Sequence, residues 1–164
     1  MIYVLEGPDG TGKSTLAREI AGEFKGSILH SSFDKSWNVE DYHRDIMRAA
    51  TIVNKWRDVV VDRWALSEVV YGTIFRNGPS YDAMSLMLEA QEEVPITWIL
   101  CRNDQAAENH ARNAERRFEM FDDMTQVAEM FDEIVEADID REWLIYDFGK
   151  ISIDGFIKIL KEKS

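Results

Sequence analysis

The sequence predicts an α/β protein of three layers, a five-stranded parallel sheet with helices on both faces. Three observations lead there. Short apolar runs alternate with segments of helical apolar spacing along the whole chain, the order expected of βαβ crossovers. Val59-Val60-Val61 is apolar at consecutive positions, as a strand covered on both faces must be. The first apolar run meets a glycine-rich turn that opens directly into an amphipathic pattern.

Taken in order, Ile2 to Glu6 forms the first strand and Lys13 to Phe24 the first helix. Ser27 to His30 is a second strand, and Val39 to Lys55 a helix entered after a polar stretch. The third strand, Val59 to Val61, ends at Asp62. Helical spacing returns over Leu66–Phe75 and Tyr81–Glu93, separated by the turn signal Asn77-Gly78-Pro79. Ile96–Cys101 is the fourth strand. Helices are expected near Asp104–Arg112 and over Met124–Ala137, then a last strand at Trp143–Asp147 and a closing helix at Ile153–Leu160.

The 164 residues fit one domain spanning the chain, without linker or repeat. No apolar stretch approaches a membrane span, and Glu6 interrupts the first apolar run before a signal-peptide core forms. The expectation is a cytoplasmic protein without a membrane partner. The lone Cys101 sits in a strand pattern, as a small buried hydrophobe does in a reducing compartment. The net charge is −12 and uneven: residues 1–82 hold 10 basic and 12 acidic side chains, residues 83–164 hold 9 and 19. Long-range repulsion therefore disfavours nucleic acid as a partner, while a local basic cleft can still hold a phosphate. The acidic stretch from Asp122 to Glu142 keeps Met124, Val127, Met130, Phe131 and Ile134 at helical spacing, so its charges read as a solvated helix face.

Gly7-Pro8-Asp9-Gly10-Thr11-Gly12-Lys13-Ser14 satisfies the pattern G-x-x-x-x-G-K-[ST] between a strand and a helix. Gly7, Gly10 and Gly12 let the backbone wrap close around phosphate oxygens, Thr11 included, with N–H groups turned inward and the helix N-terminus behind them. Lys13 would bridge β- and γ-phosphates and Ser14 would hold Mg²⁺. Thr15 either touches the α-phosphate or simply starts the helix. A GTPase would need a base-reading Asn-Lys-x-Asp after a later strand; Asn54-Lys55-Trp56-Arg57-Asp58 has its Asp one residue late and precedes a strand. Motor and helicase ATPases carry an acidic pair after an apolar strand, absent here. A small phosphotransferase remains.

On these residues the chain resembles the thymidylate kinase family. Its phosphate loop is similar to that family's G-x-D-G-x-G-K-S-T form, and Asp62-Arg63-Trp64-Ala65-Leu66-Ser67-Glu68-Val69-Val70-Tyr71 is similar to its D-R-Y-x-x-S-x-x-A-Y element. Pro95–Arg102 followed by Asn109–Glu119 resembles the strand and Arg-bearing lid, placed about 109–122, with Arg117-Phe118-Glu119 on the lid's R-x-E. Trp143–Lys163 resembles the closing strand and helix. The chain is shorter than a usual cellular member, as a virus-encoded one would be.

The resemblance implies a P-loop kinase fold, ATP and Mg²⁺ as cofactors, and a homodimer as the common assembly. It also implies roles. Arg63, at a strand's carboxyl end where parallel sheets bind ligands, would grip the acceptor phosphate or the transferred group. Asp62 would hold Mg²⁺ through water or accept a hydroxyl proton. Asp9 would contact the acceptor sugar or cap its turn. Arg112, Arg116 and Arg117 would close over the triphosphate, although Glu108, Glu115 and Glu119 offer them ordinary helix pairs. Tyr71 would pack against the sugar and Ser67 would lie on the base side.

The acceptor elements diverge. Gly72 stands where the family has a base-reading Gln, and His30-Ser31-Ser32-Phe33-Asp34-Lys35 replaces its E-P-G-G-T element. Phe33, Trp37 and Trp64 are candidates to stack on a base, Asp34 to serve as a base, Lys35 to replace a missing cation, and Arg44 or Arg48 to face the acceptor. The reading that follows is a kinase converting a deoxynucleoside monophosphate, dTMP or a modified pyrimidine nucleotide, to the diphosphate. The alternatives are a kinase of a hydroxyl acceptor (a nucleoside, a polynucleotide end or a hydroxymethylpyrimidine in DNA) and a non-catalytic nucleotide-binding domain.

Overall fold

The computed structural model describes residues 1–32, 36–104 and 122–163; the side chains of residues 122 and 123 are not part of that description. Its elements run β1 (Ile2–Glu6), α1 (Lys13–Glu23), β2 (Ser27–His30), α2 (Val39–Asn54), β3 (Val59–Asp62), α3 (Ala65–Arg76), α4 (Ala83–Glu93), β4 (Ile96–Arg102), α5 (Asp122–Ala137), β5 (Trp143–Asp147) and α6 (Ile153–Lys163). The five strands form one parallel sheet in the order β2-β3-β1-β4-β5.

β1 is central, and all five of its residues are buried. Its alternate side chains feed two cores. Ile2 and Val4 join Val59, Val61, Trp98 and Leu100 beneath α2, α3, α4 and α5. Tyr3 and Leu5 join Val60, Ile99 and Tyr146 beneath α1 and α6, where Leu16, Ile20 and Phe156 are fully buried. Each such aliphatic or aromatic side chain contributes about 1.5–3 kcal/mol, which is how apolar alternation in sequence becomes a three-layer sandwich. The chain reverses strand order beside β1, since its neighbours are β3 and β4. That point opens a crevice at the carboxyl edge, where ligands of such sheets bind.

Boundaries differ from the periodicity at one instructive place. α4 starts at Ala83 rather than Tyr81, because the Asp82 carboxylate accepts from Ser85 N at 3.1 Å and caps the helix, leaving Tyr81 outside it to meet His43. Trp64 is fully buried, with its indole donating to His43 O at 2.8 Å and its ring stacked on Trp98, so it packs the core and is closed to a base. The helix expected near Asp104–Arg112 and the lid lie outside the described residues, apart from Asp104 at their edge and residue 122 at the start of α5. Among the described residues no helix is long and apolar enough to cross a membrane.

Candidate functional site

The phosphate loop joins β1 to α1 through backbone that only glycine adopts comfortably. Gly7 has φ +134°, and a Cβ there would lie 2.1 Å from the Cys101 carbonyl oxygen of β4. Gly12 has φ +79° and forms the N-cap of α1 with no capping side chain, and no acid occupies the first turn. By contrast α2 and α4 are capped by Asn38 and Asp82. The first N–H groups of α1 and its dipole are thus left for an anion.

Within the loop, Thr11 Oγ1 donates to Pro8 O at 2.8 Å, and the Lys13 ammonium donates to the same carbonyl. Lys13 is 5% exposed. Burial pushes its ammonium down to about 8, Arg63 adds to the depression, and Asp9 opposes it. A phosphate would restore the charge that the protein alone holds at a cost.

Asp62 closes the site from β3. Ser14 Oγ donates to Asp62 Oδ2 at 3.0 Å, and His30 Nδ1 lies 3.2 Å from the same oxygen. The other oxygen, Oδ1, is buried with no hydrogen-bond partner among the described residues. A buried orphan carboxylate oxygen beside a hydroxyl suits a hard cation. Among the described residues no group of three His, Cys, Asp or Glu side chains converges. Ser14 and Asp62 therefore fit Mg²⁺, which takes one or two protein oxygens and keeps waters or phosphate oxygens for the rest.

Arg63 follows in the left-handed region, φ 68°, held by its amide donating to Leu5 O at 2.9 Å. That conformation costs a non-glycine residue roughly 1 kcal/mol and turns the side chain back across the edge. Its guanidinium binds the Asp9 carboxylate and lies 5.1 Å from the centre of the Tyr71 ring. Tyr71 stacks on Phe75 and meets Phe131 edge-on. Beyond Phe131 a cavity of about 400 Å³ opens, lined by Pro8, Leu100, Arg102, Met124 and Asp132 among others.

The structure thus brings together Gly7, Gly10, Thr11, Gly12, Lys13, Ser14, Asp62, Arg63, Asp9 and Tyr71. It places others elsewhere. Thr15 is exposed and its hydroxyl is 3.4 Å from the Arg18 guanidinium. Arg44 pairs with Glu40 and Glu89 on the α2 surface, and Arg48 with Asp45. Ser67 donates to Glu6 at 2.6 Å. Trp37 is partly exposed and packs on Tyr42. Phe33, Asp34, Lys35, Arg112, Arg116 and Arg117 lie outside the described residues.

Two residues of the site were not singled out from sequence. Glu6, fully buried at the end of β1, accepts from Trp64 N and Leu66 N at 3.0 Å each and so caps α3 from another element. Burial pushes its carboxyl up, while the hydrogen bond from Ser67 and the Arg63 charge pull it down. Phe148, half exposed after β5, lies against Gly12, where a Cβ would come within 3.2 Å of its ring. An acid ending a strand that precedes a glycine loop was the only available signal for the first, and none existed for the second. Cys101 is buried, and burial pushes its thiol up to about 12, which keeps it an inert packing group.

No family model matches the chain, and no curated protein matches it. Solved structures do. The YorR protein of Bacillus subtilis, in complex with phosphorylated GDP, is 21% identical with a TM-score of 0.74 over 99% of this chain and 95% of its own. Deoxyadenosine kinase of M. mycoides, with dCMP and dCDP bound, is 15% identical with a TM-score of 0.63, covering 99% and 98%. Thymidylate kinase of Candida albicans is 15% identical with a TM-score of 0.61, covering 99% and 89%. The chain has the P-loop kinase fold, as the sequence predicted.

Proposed function

We propose that the chain is an ATP-dependent phosphotransferase of nucleotides that acts on a deoxynucleoside monophosphate, dTMP or a modified pyrimidine nucleotide, and forms the diphosphate. The observation that carries this reading is one connected edge. The phosphate loop, its uncapped helix, the Ser14–Asp62 hydrogen bond and the Asp9–Arg63 pair all meet at the strand-order reversal. Simple nucleotide binding needs the loop and the Ser14–Asp62 cation ligands; the Asp9–Arg63 pair has no part in it.

In this reading the loop amides and Lys13 hold the β- and γ-phosphates of ATP, Lys13 exchanging its Pro8 contact for phosphate oxygens. Mg²⁺ held by Ser14 and Asp62 would neutralise charge on the phosphates when bound. Asp9 anchors Arg63, whose forked guanidinium grips the acceptor phosphate or the transferring group. An acceptor oxygen forms the new bond to the γ-phosphorus as the bond to the β-phosphate oxygen breaks, and ADP leaves. An ionised acceptor needs alignment and charge neutralisation more than a base. Tyr71 walls the sugar side, with Arg112, Arg116 and Arg117 supplying the lid on the sequence reading alone.

A hydroxyl acceptor is the second reading, supported by the missing E-P-G-G-T element and by likeness to a protein named as a deoxyadenosine kinase. There the Asp62 carboxylate, contacted by His30, would take the proton. A DNA acceptor would add steep salt dependence against the −12 charge. Transfer of labelled γ-phosphate from ATP to a panel of nucleoside monophosphates, free nucleosides, and plain or hydroxymethylated DNA decides. Label on a monophosphate alone is expected; label on nucleoside or DNA alone selects the second reading, and none on any acceptor overturns both.

A further inference from the structure

One buried polar chain plays no part in the machinery above. Ser31 follows β2 directly, and its amide donates to Asp62 O at 3.0 Å, which sets it one step beyond the sheet edge against Asp62, the residue before Arg63. Side chains alternate along β2. His30 turns to Asp62, Leu29 packs into the core beneath α2 and α3, and Ser31 takes the Leu29 side, toward α2. There Ser31 Oγ lies 3.3 Å from His43 Nε2, and His43 Nδ1 is in hydrogen-bond contact with the Tyr81 hydroxyl. Ser31 is 6% and His43 5% exposed. The Trp64 indole pins the His43 carbonyl, so α2 cannot rotate the imidazole away.

The chemistry of the three groups sets the direction of the chain. A phenol is the stronger donor and an unprotonated imidazole nitrogen the stronger acceptor, so Tyr81 donates to Nδ1. Nε2 then carries the hydrogen and donates to Ser31 Oγ. One serine lone pair is used, and the Ser31 O–H is left to donate. Burial supports this neutral arrangement, pushing His43 down to about 4 and Tyr81 above its ordinary value. Glu68 acts against the first shift and adds to the second, Arg76 reinforces the first, and Arg44 acts weakly against the second.

We propose that Ser31 is an acceptor-phosphate contact, its hydroxyl aimed by His43 and Tyr81 to donate to a phosphate oxygen of the nucleoside monophosphate gripped by Arg63. The free Ser31 O–H and the Arg63 guanidinium are both donors on adjoining strand ends, joined through the Ser31 amide–Asp62 carbonyl bond, which matches a group that only accepts. Ser31 also lies in the His30–Lys35 stretch that stands in place of E-P-G-G-T. The inference rests on the monophosphate reading above.

The test measures binding of deoxynucleoside monophosphates, their parent nucleosides and ATP to the wild-type chain and to Ser31→Ala, Ser31→Thr and Tyr81→Phe by titration calorimetry, beside the labelled transfer panel. Ser31→Ala is expected to weaken the monophosphate roughly tenfold and leave nucleoside and ATP affinity unchanged, a hydrogen bond to a charged group being lost. Ser31→Thr, which keeps the hydroxyl, should stay within about threefold of wild type, and Tyr81→Phe should fall between. Unchanged monophosphate affinity in Ser31→Ala overturns the inference alone, provided the wild type transfers label to a monophosphate. Equal losses for monophosphate and nucleoside, or for monophosphate and ATP, overturn it too. A wild type that phosphorylates no monophosphate removes the function reading and this inference together.

Discussion

Lys13 offers the sharpest quantitative test, because its ammonium is buried and, on the proposed function, holds the phosphates. Its value of about 8, against an ordinary 10.5, corresponds to about 3 kcal/mol favouring the uncharged form in the unliganded protein. Bound phosphates reverse that preference, since opposite charge at hydrogen-bond distance favours the ammonium. ATP binding must then take up a proton wherever Lys13 was uncharged beforehand: about a tenth of a proton at pH 7, about half at pH 8 and about nine-tenths at pH 9. Calorimetry of ATP binding in two buffers of different ionisation enthalpy reads this number directly. The same linkage acts on stability. Below pH 8 both folded and unfolded chains hold the proton and the full cost is present; between about pH 8 and 10.5 only the unfolded chain holds it, so the cost fades as pH rises. The wild type should therefore gain stability relative to Lys13→Met across that window in denaturant melts. Proton uptake that stays flat from pH 7 to 9 would refute the reasoning.

Three other outcomes follow from the geometry. Arg63→Ala should lower kcat by a hundredfold or more, on the order of what removing a charge-stabilising donor costs, with the melting temperature nearly kept; near-normal turnover in the labelled-phosphate assay would reject its placement. Glu6→Ala strands the Trp64 and Leu66 amides and removes an anion from the N-terminus of α3. The expected loss is about 3 kcal/mol, or roughly 10 °C in Tm, read by urea and thermal melts; a loss under 1 kcal/mol would mean water replaces the carboxylate freely. Gly7→Ala drives a methyl against the Cys101 carbonyl at φ +134°. It should abolish ATP binding and lower Tm by well over 5 °C, and a wild-type melt with intact affinity would show that the loop yields.

Much of the fold was legible because periodicity reports what a single element buries. The strands and most helices fall within a residue or two of the apolar pattern; α6 runs three residues further, to Lys163, and α4 begins late because a cap, which apolar spacing does not register, outranks it. The phosphate loop was legible for a related reason. Its function is carried by consecutive backbone N–H groups, so eight residues in a row contain the whole device.

The rest of the site joins residues that are neighbours only through the sheet. Ser14 meets Asp62 because β1 pairs with β3, with Leu5 opposite Asp62 in register. Glu6 caps a helix that begins 59 positions later, and Ser31, His43 and Tyr81 form one chain from a strand end, a helix and a loop. Arg44 shows the converse: the resemblance offered it or Arg48 to the acceptor, and Glu40 and Glu89 pair with it on the α2 surface. The sequence by itself determined the α/β class, the order of elements and the phosphate loop, since each depends on contiguous residues. Which polar groups converge at the carboxyl edge was decided by strand order and register, which arise from burial of two whole faces at once and are written in no local stretch of chain.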